Sequence, residues 1–238
     1  MLKLPQRQIN APIVDYRKLR IDNLFSNEFK HLLYLVFWPL YGLMFFYVER
    51  LYPVKEYITV YSRIDDFIPF CEWFLIPYLF WFVYLAGMLL YTALYDIDAF
   101  KKMMNFIIIT YTVTIVIYLI FPTCQELRPT SFERDNLLTR IMTNYYQFDT
   151  NTNVCPSIHV IGSLAVMFTS FHCKGTKTFG WKITFIITAI LISISTVFLK
   201  QHSIIDIIAA IPLCGMAYYI CFCRKSRAEI DKLNVQRR

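Results

Sequence analysis

Six apolar runs, each close to the length of a membrane-crossing helix and each cut off from the next by a polar break, organise this chain. They cover residues 31–50, 67–92, 103–122, 156–172, 180–199 and 203–223. A helix needs about 20 consecutive apolar residues to cross a bilayer. The segments "ERLYPVKEY", "YDIDAFKK", "HCKGTKTFGWK" and "CRKSRAEIDK" supply proline and charge between or after the runs. The pattern predicts an all-α polytopic membrane protein, a bundle of six transmembrane helices. Residues 1–30 form a leader, 31–223 the membrane domain and 224–238 a basic tail.

Composition sharpens this reading. The chain is 57% hydrophobic and 18% aromatic, too apolar for an ordinary soluble domain. Trp38, Trp73, Trp81 and Trp181 lie in or beside runs, as interfacial anchors do. The net charge of +7 would suit a nucleic-acid partner, but the basic residues gather at the ends of apolar runs, and that distribution argues against one. A secretory signal is not expected: the first run begins near His31, after a long polar lead, and no small-residue cleavage site follows it.

Six spans put both termini on one side, and lysine and arginine choose the side. Of the 24 such residues, 17 fall in the leader, the 93–102 loop, the 173–182 loop and the tail. Both termini are therefore expected in the cytoplasm, with residues 123–155 and 200–202 at the outer face. The leader stretch "APIVDYRKLRIDNLFSNEFKH" mixes apolar and basic residues, which suits either an interfacial helix or a flexible arm. His31 and His172 fall at the cytoplasmic boundary, away from the other two histidines.

Candidate chemistry collects at the outer ends of the runs. In "NVCPSIHVIGS" a histidine, His159, enters an apolar helix just after Pro156 and Ser157. Proline suits a first helical turn, and the free amides of that turn, with Ser157, make an anion pocket. In "STVFLKQHSIIDIIAAIP" His202 and Asp206 are spaced i, i+4, on one helical face. An aspartate among isoleucines in mid-span costs about 2.5–3.5 kcal/mol, so it needs a partner, and His202 is the one at hand. A carboxylate on one imidazole nitrogen fixes the tautomer and frees the other nitrogen as base or nucleophile. In "FPTCQELRPT" Arg128 offers a planar fork of donors that suits a phosphate.

Together these residues describe a phosphoryl-transfer site. His202 attacks phosphorus, Asp206 stabilises the developing imidazolium, and His159 protonates the departing oxygen and then activates water. Other readings of the same residues stay open. His202 and Asp206 can form a structural clamp between helices or part of a proton relay in a transporter. His159, His202 and Asp206 are also metal-ligating residue types, although neither a metal nor a cofactor is expected. Ser195 can bond back to its own helix, and Arg128 can be an interfacial arginine. Cys124 and Cys155 flank the 125–154 loop, so a disulfide between them would staple it over the site, a pairing that sequence does not fix.

These motifs resemble the type 2 phosphatidic acid phosphatase superfamily of membrane lipid phosphatases and phosphotransferases. Arg128-Pro129, then Pro156-Ser157-Ile158-His159, then Ser195 with His202 and Asp206 stand in the superfamily's order and spacing. Two positions depart: Phe121 stands where the pattern has lysine, and Thr196 where it has arginine. The resemblance implies a six-helix core with a catalytic set of His202 (nucleophile), His159 (general acid and base) and Asp206. Arg128, Ser157 and Ser195 are implied as phosphate-binding residues. Lys200, one turn beyond Thr196, is expected to supply part of the missing charge. The expected activity is hydrolysis of a lipid phosphate drawn from the bilayer, at the outer face, through a phosphohistidine. The alternatives are transfer of a phosphorylated head group to another lipid, and a non-enzymatic structural or transport role. The identity of the lipid and the oligomeric state are not specified by these motifs.

Overall fold

A computed structural model describes residues 12–224. The expected basic tail beyond Arg224 and the first 11 residues of the leader lie outside the described residues.

Among the described residues, eight α-helices run in chain order: α1 (Phe37–Phe46), α2 (Ile64–Phe67), α3 (Leu75–Tyr95), α4 (Ile97–Ile120), α5 (Leu137–Phe148), α6 (Ile158–His172), α7 (Phe179–Phe198) and α8 (Ile204–Tyr218). A 3-10 stretch, Lys30–Val36, leads into α1, and π turns, Tyr47–Leu51 and Tyr219–Cys223, extend α1 and α8. The β structure consists of two residue pairs, β1 (Ile58–Thr59) and β2 (Thr123–Cys124), joined in parallel.

Among the described residues, five helical stretches are long and apolar enough to cross a membrane: Lys30–Leu51, Glu72–Tyr95, Ile97–Ile120, Phe179–Phe198 and Ile204–Cys223. They mark an integral membrane protein. The expected fourth span is instead the 15-residue helix α6, about 22 Å long at 1.5 Å per residue. It packs against α3, α4, α7 and α8. A helix wrapped by its neighbours does not have to match the bilayer's thickness.

The boundary between the second and third runs also moves. Asp96 is at once the C-cap of α3 and the N-cap of α4, its carboxylate accepting from the amides of Ala99 (3.2 Å) and Lys174 (2.9 Å). This cap starts α4 at Ile97, so Lys101 and Lys102 lie inside a helix rather than in a loop. Pro156 is likewise outside its helix. Ser157, not Pro156, occupies the position before the first turn of α6.

The core is aromatic and aliphatic, with Tyr111, Phe106, Met103 and Ile107 of α4 fully buried beside Ile161, Ala165 and Val166 of α6. Gly162 is a point of close approach of α6 to α3 and α4. A Cβ there would lie 2.8 Å from Trp81 Nε1 and 2.9 Å from the Tyr111 hydroxyl, closer than packed atoms allow. The described part of the leader, residues 12–30, is neither a continuous helix nor a free arm. It makes short 3-10 turns at Tyr16–Lys18 and Ile21–Asn23 and buries Val14 and Phe29. Ile13 N donates to Leu94 O (2.9 Å), and the Tyr16 hydroxyl bridges Ala93 O (2.5 Å) and His31 Nε2 (2.7 Å). His31 is thereby buried at the bundle end where α3 gives way to α4.

Candidate active site

The opposite end of the bundle holds the candidate residues, and the turn between α7 and α8 sets it up. Thr196 O accepts the amides of Gln201 (2.9 Å) and His202 (3.2 Å). Ser203 is the N-cap of α8, and Asp206 sits at the third helical position. There its carboxylate accepts the Ser203 amide (3.0 Å), the arrangement of a capping box. The same Asp206 Oδ2 lies 2.9 Å from His202 Nδ1. One carboxylate therefore starts the helix and orients the imidazole. Asp206 is fully buried, and Ser157 N donates to its backbone oxygen (3.2 Å).

His202 Nδ1 is committed to Asp206, which leaves Nε2 free for chemistry. His159, the second residue of α6, faces it with ring centroids 6.0 Å apart. The His159 ring stacks on Tyr78 (4.4 Å) and leans on Trp81 (4.6 Å). Its Nε2 is shielded and has no partner among the described residues. Gly162, one turn along α6, lets the helix approach Trp81 and so sets the depth at which His159 sits. Both histidines line a cavity of about 200 Å³ together with Tyr118, Asp149, Asn153 and Gln201.

Ser157 does not cap its own helix. Its hydroxyl is buried and unpartnered, and the first-turn amides of α6 lack intrahelical partners, as at any helix start. A donor cluster next to His159 results.

The structure puts three expected site residues to other uses. Arg128 donates from Nη1 to Tyr146 O (3.1 Å) and Asp149 O (2.8 Å), and from Nη2 to Thr150 O (2.8 Å) and Gln201 Oε1. Its guanidinium also lies over the Tyr146 ring at 4.6 Å. Both terminal nitrogens thus cap the carboxyl end of α5, where helix carbonyls attract a cation, and burial depresses its pKa. Ser195 bonds back to Ile192 O (2.6 Å), within its own helix. Lys200, in the left-handed region (φ 53°), sends Nζ to Asp65 O (2.8 Å). None of the three lines the cavity. Cys124 and Cys155 are free thiols, and burial beside Asp206 pushes Cys155 up to about 12.

Several residues absent from the sequence reading shape the site. Asp65, 1% exposed, accepts from Ser203 Oγ (2.6 Å), Ser62 N (2.8 Å) and Ile204 N (2.9 Å), fixing the start of α8 from the short helix α2, far away in sequence. The helix α5 is strongly amphipathic, and its Asn136 cap with apolar residues at 137, 138, 141, 142, 145 and 146 was a readable signal. Asp149, which follows it, has its carboxyl pushed upward by burial, against the pull of Arg128 and His202.

The class this defines is a membrane-embedded protein with a paired-histidine, carboxylate-anchored pocket at one end of a helical bundle. The PAP2 superfamily matches residues 102–229, more than half of the chain and all of these motifs, and the protein belongs to that superfamily. Its members are typically phosphatases and phosphotransferases that act on phosphate esters. No curated protein and no solved structure is significantly similar to the chain.

Proposed function

We propose that the protein cleaves a phosphate ester of an amphiphilic lipid through a phosphohistidine on His202, with water as the acceptor and the site at the outer membrane face. The observation that carries this is the pair of histidines across one cavity, with His202 Nδ1 tied to a buried carboxylate. In the first step His202 Nε2 forms a bond to phosphorus as the phosphorus–oxygen bond to the lipid breaks. His159 gives the departing alkoxide its proton. In the second step water attacks phosphorus, His159 takes the water's proton, and the nitrogen–phosphorus bond electrons return to His202. Asp206 holds the imidazole orientation and opposes the positive charge that builds on it. The Ser157 hydroxyl and the first amides of α6 supply donors for the phosphoryl oxygens, and Arg128 acts at one remove through Gln201.

A second groove supports a lipid substrate. It measures about 790 Å³ and runs between the first and second spans from Tyr16 and Leu94 to Tyr41, Trp81 and Phe82. The last three residues also line the histidine cavity. From Trp81 to Leu94 along α3 is about 20 Å, an apolar path long enough for a hydrocarbon chain whose phosphate rests at the histidines.

Purified protein incubated with a panel of lipid phosphates, with and without acceptor lipids, tests the reading. Free phosphate or a water-soluble phosphate, persisting after chelation, is the expected product. A new phospholipid formed without it would mean transfer to a lipid alcohol. Failure to trap acid-labile phosphate on His202 with any substrate would remove the mechanism.

A further inference from the structure

The apolar groove between the first two spans has a floor. At the end away from the histidines the leader runs across it. Ile13 N donates to Leu94 O (2.9 Å), and the Tyr16 hydroxyl donates to Ala93 O (2.5 Å) and meets His31 Nε2 (2.7 Å). Four rings pack there in a row. The Tyr16 ring centre is 6.3 Å from Phe29 and 5.9 Å from His31, and His31 stands edge-on to Phe100 at 5.9 Å. Phe29, His31 and Phe100 are buried, so the floor is supported from behind and gives way only if the end of the bundle unpacks.

The walls offer an occupant little but carbon. Leu32, Leu35, Leu85, Leu89 and Leu90 line the groove. The indole nitrogens of Trp38 and Trp81 and the Tyr41 hydroxyl belong to wall residues but are shielded, so a polar ligand would lose its hydrogen bonds with water and gain none. The other mouth opens beside the histidines, because Tyr41, Trp81 and Phe82 line both spaces. The occupant this continuity selects is a hydrocarbon chain whose phosphate is held at His202. Trp81 and Leu94 are 13 residues apart on α3, about 20 Å at 1.5 Å per residue. An extended chain advances about 1.25 Å per carbon, from a ~1.5 Å bond and a ~111° angle. About 16 carbons therefore bring its end to the Tyr16 ring.

Resting on the lipid-phosphate reading above, we infer that the groove measures the length of the substrate's hydrocarbon chain, with Tyr16 as the stop and a straight chain of about 16 carbons as the one that fills it. Tyr16 is thus a specificity-determining residue, supplied by the leader at the end of the bundle opposite the phosphate. A shorter chain leaves part of the groove unfilled and forfeits its dispersion contacts. A longer one has to bend out sideways between the spans or press on rings that are already packed, and overpacking is unfavourable. The chemistry at phosphorus is the same for every length; what changes is how well the departing alcohol is held. Ala86 offers a way to shorten the groove. It is exposed and lines the groove, about 8 Å along α3 from Trp81, so a ring added there enters the groove rather than the core.

The test uses the full-length protein and straight-chain alkyl phosphates of about 10 to about 22 carbons, a range that brackets the groove's length. Each is presented in mixed micelles with one nonionic detergent at one surface concentration. In the unmodified protein kcat/KM should peak near 16 carbons and fall by at least about fivefold toward either end, within the range over which pockets separate substrates that differ by methylenes. Ala86→Phe should move the peak at least about four carbons shorter, and Tyr16→Ala at least about two carbons longer. Impaired folding lowers every length alike and does not move a peak. A flat profile, or a peak unmoved by Ala86→Phe, would overturn the measuring groove and leave the phosphohistidine mechanism standing. A peak unmoved by a folded Tyr16→Ala would overturn the stop, and if that variant does not fold, Ala86→Phe decides. Absence of cleavage and of phosphate on His202 at every length would overturn the mechanism and the groove together.

Discussion

Asp206→Asn separates an orienting carboxylate from a structural clamp. Asparagine keeps the size and can still accept from His202 Nδ1, across the 2.9 Å contact, but the negative charge is gone. During attack on phosphorus the imidazole acquires close to a full positive charge, centred about 4 Å from the carboxylate. At an effective dielectric of about 20 that pair is worth about 4 kcal/mol, or about three orders of magnitude in rate. The fold should be affected far less. Asp206 is fully buried and its Oδ1 has no partner, so the substitution removes an expensive buried charge while leaving one polar atom unpaired, two changes of opposite sign. We expect kcat to fall about 1000-fold while the unfolding midpoint moves by no more than about 4 °C, roughly 1 kcal/mol for a chain of this size. Turnover in detergent and thermal unfolding of the same preparation give both numbers. Retention of more than a tenth of kcat would refute the electrostatic role. A large drop in the midpoint with a merely proportionate loss of activity would favour the clamp.

His202→Ala and His159→Ala should each reduce turnover by several orders of magnitude, since members of one catalytic unit fail together, with His202→Ala also abolishing phosphoenzyme. Lys200→Gln should change activity by no more than about twofold, because Nζ is bonded to Asp65 O; a loss of tenfold or more would return this lysine to the phosphate. Burial raises the Asp149 pKa, so the folded state binds this proton more tightly than the unfolded state, and stability falls as pH rises from the ordinary aspartate range through the raised value. Asp149→Asn should therefore increase the unfolding midpoint, more at pH 7 than at pH 4, and a gain independent of pH would refute the assignment. Single cysteines at Glu133 and Asp22, in a cysteine-free background, should label oppositely in intact cells with an impermeant maleimide, Glu133 reacting and Asp22 not; the reverse would place the site in the cytoplasm.

Local pattern alone announced the membrane helices, the pairing of His202 with Asp206, and the superfamily. Apolar length reports a span because a lipid-facing helix has to satisfy its own backbone and cover it with apolar side chains. An i, i+4 pair reports a contact because helical geometry fixes the distance whatever the rest of the fold does. The enclosure of α6 was not legible, because nothing in a 15-residue apolar run states that four helices surround it. Nor were the fates of Arg128 and Lys200. Each is a cation near the site in sequence, but which acceptor it meets depends on where the end of α5 and the helix α2 that carries Asp65 come to rest, 18 to 22 residues away for Arg128 and 135 for Lys200. The orientation of the amides beside His202 was hidden for the same reason. Asn153 and Gln201 read as ordinary loop amides until Glu49 and Arg128 arrive from elsewhere in the chain and turn one amide oxygen and one amide nitrogen toward the cavity. Short-range geometry is written into the spacing of residues, whereas the direction in which a side chain spends its hydrogen bonds is decided by partners that only the folded chain brings within reach.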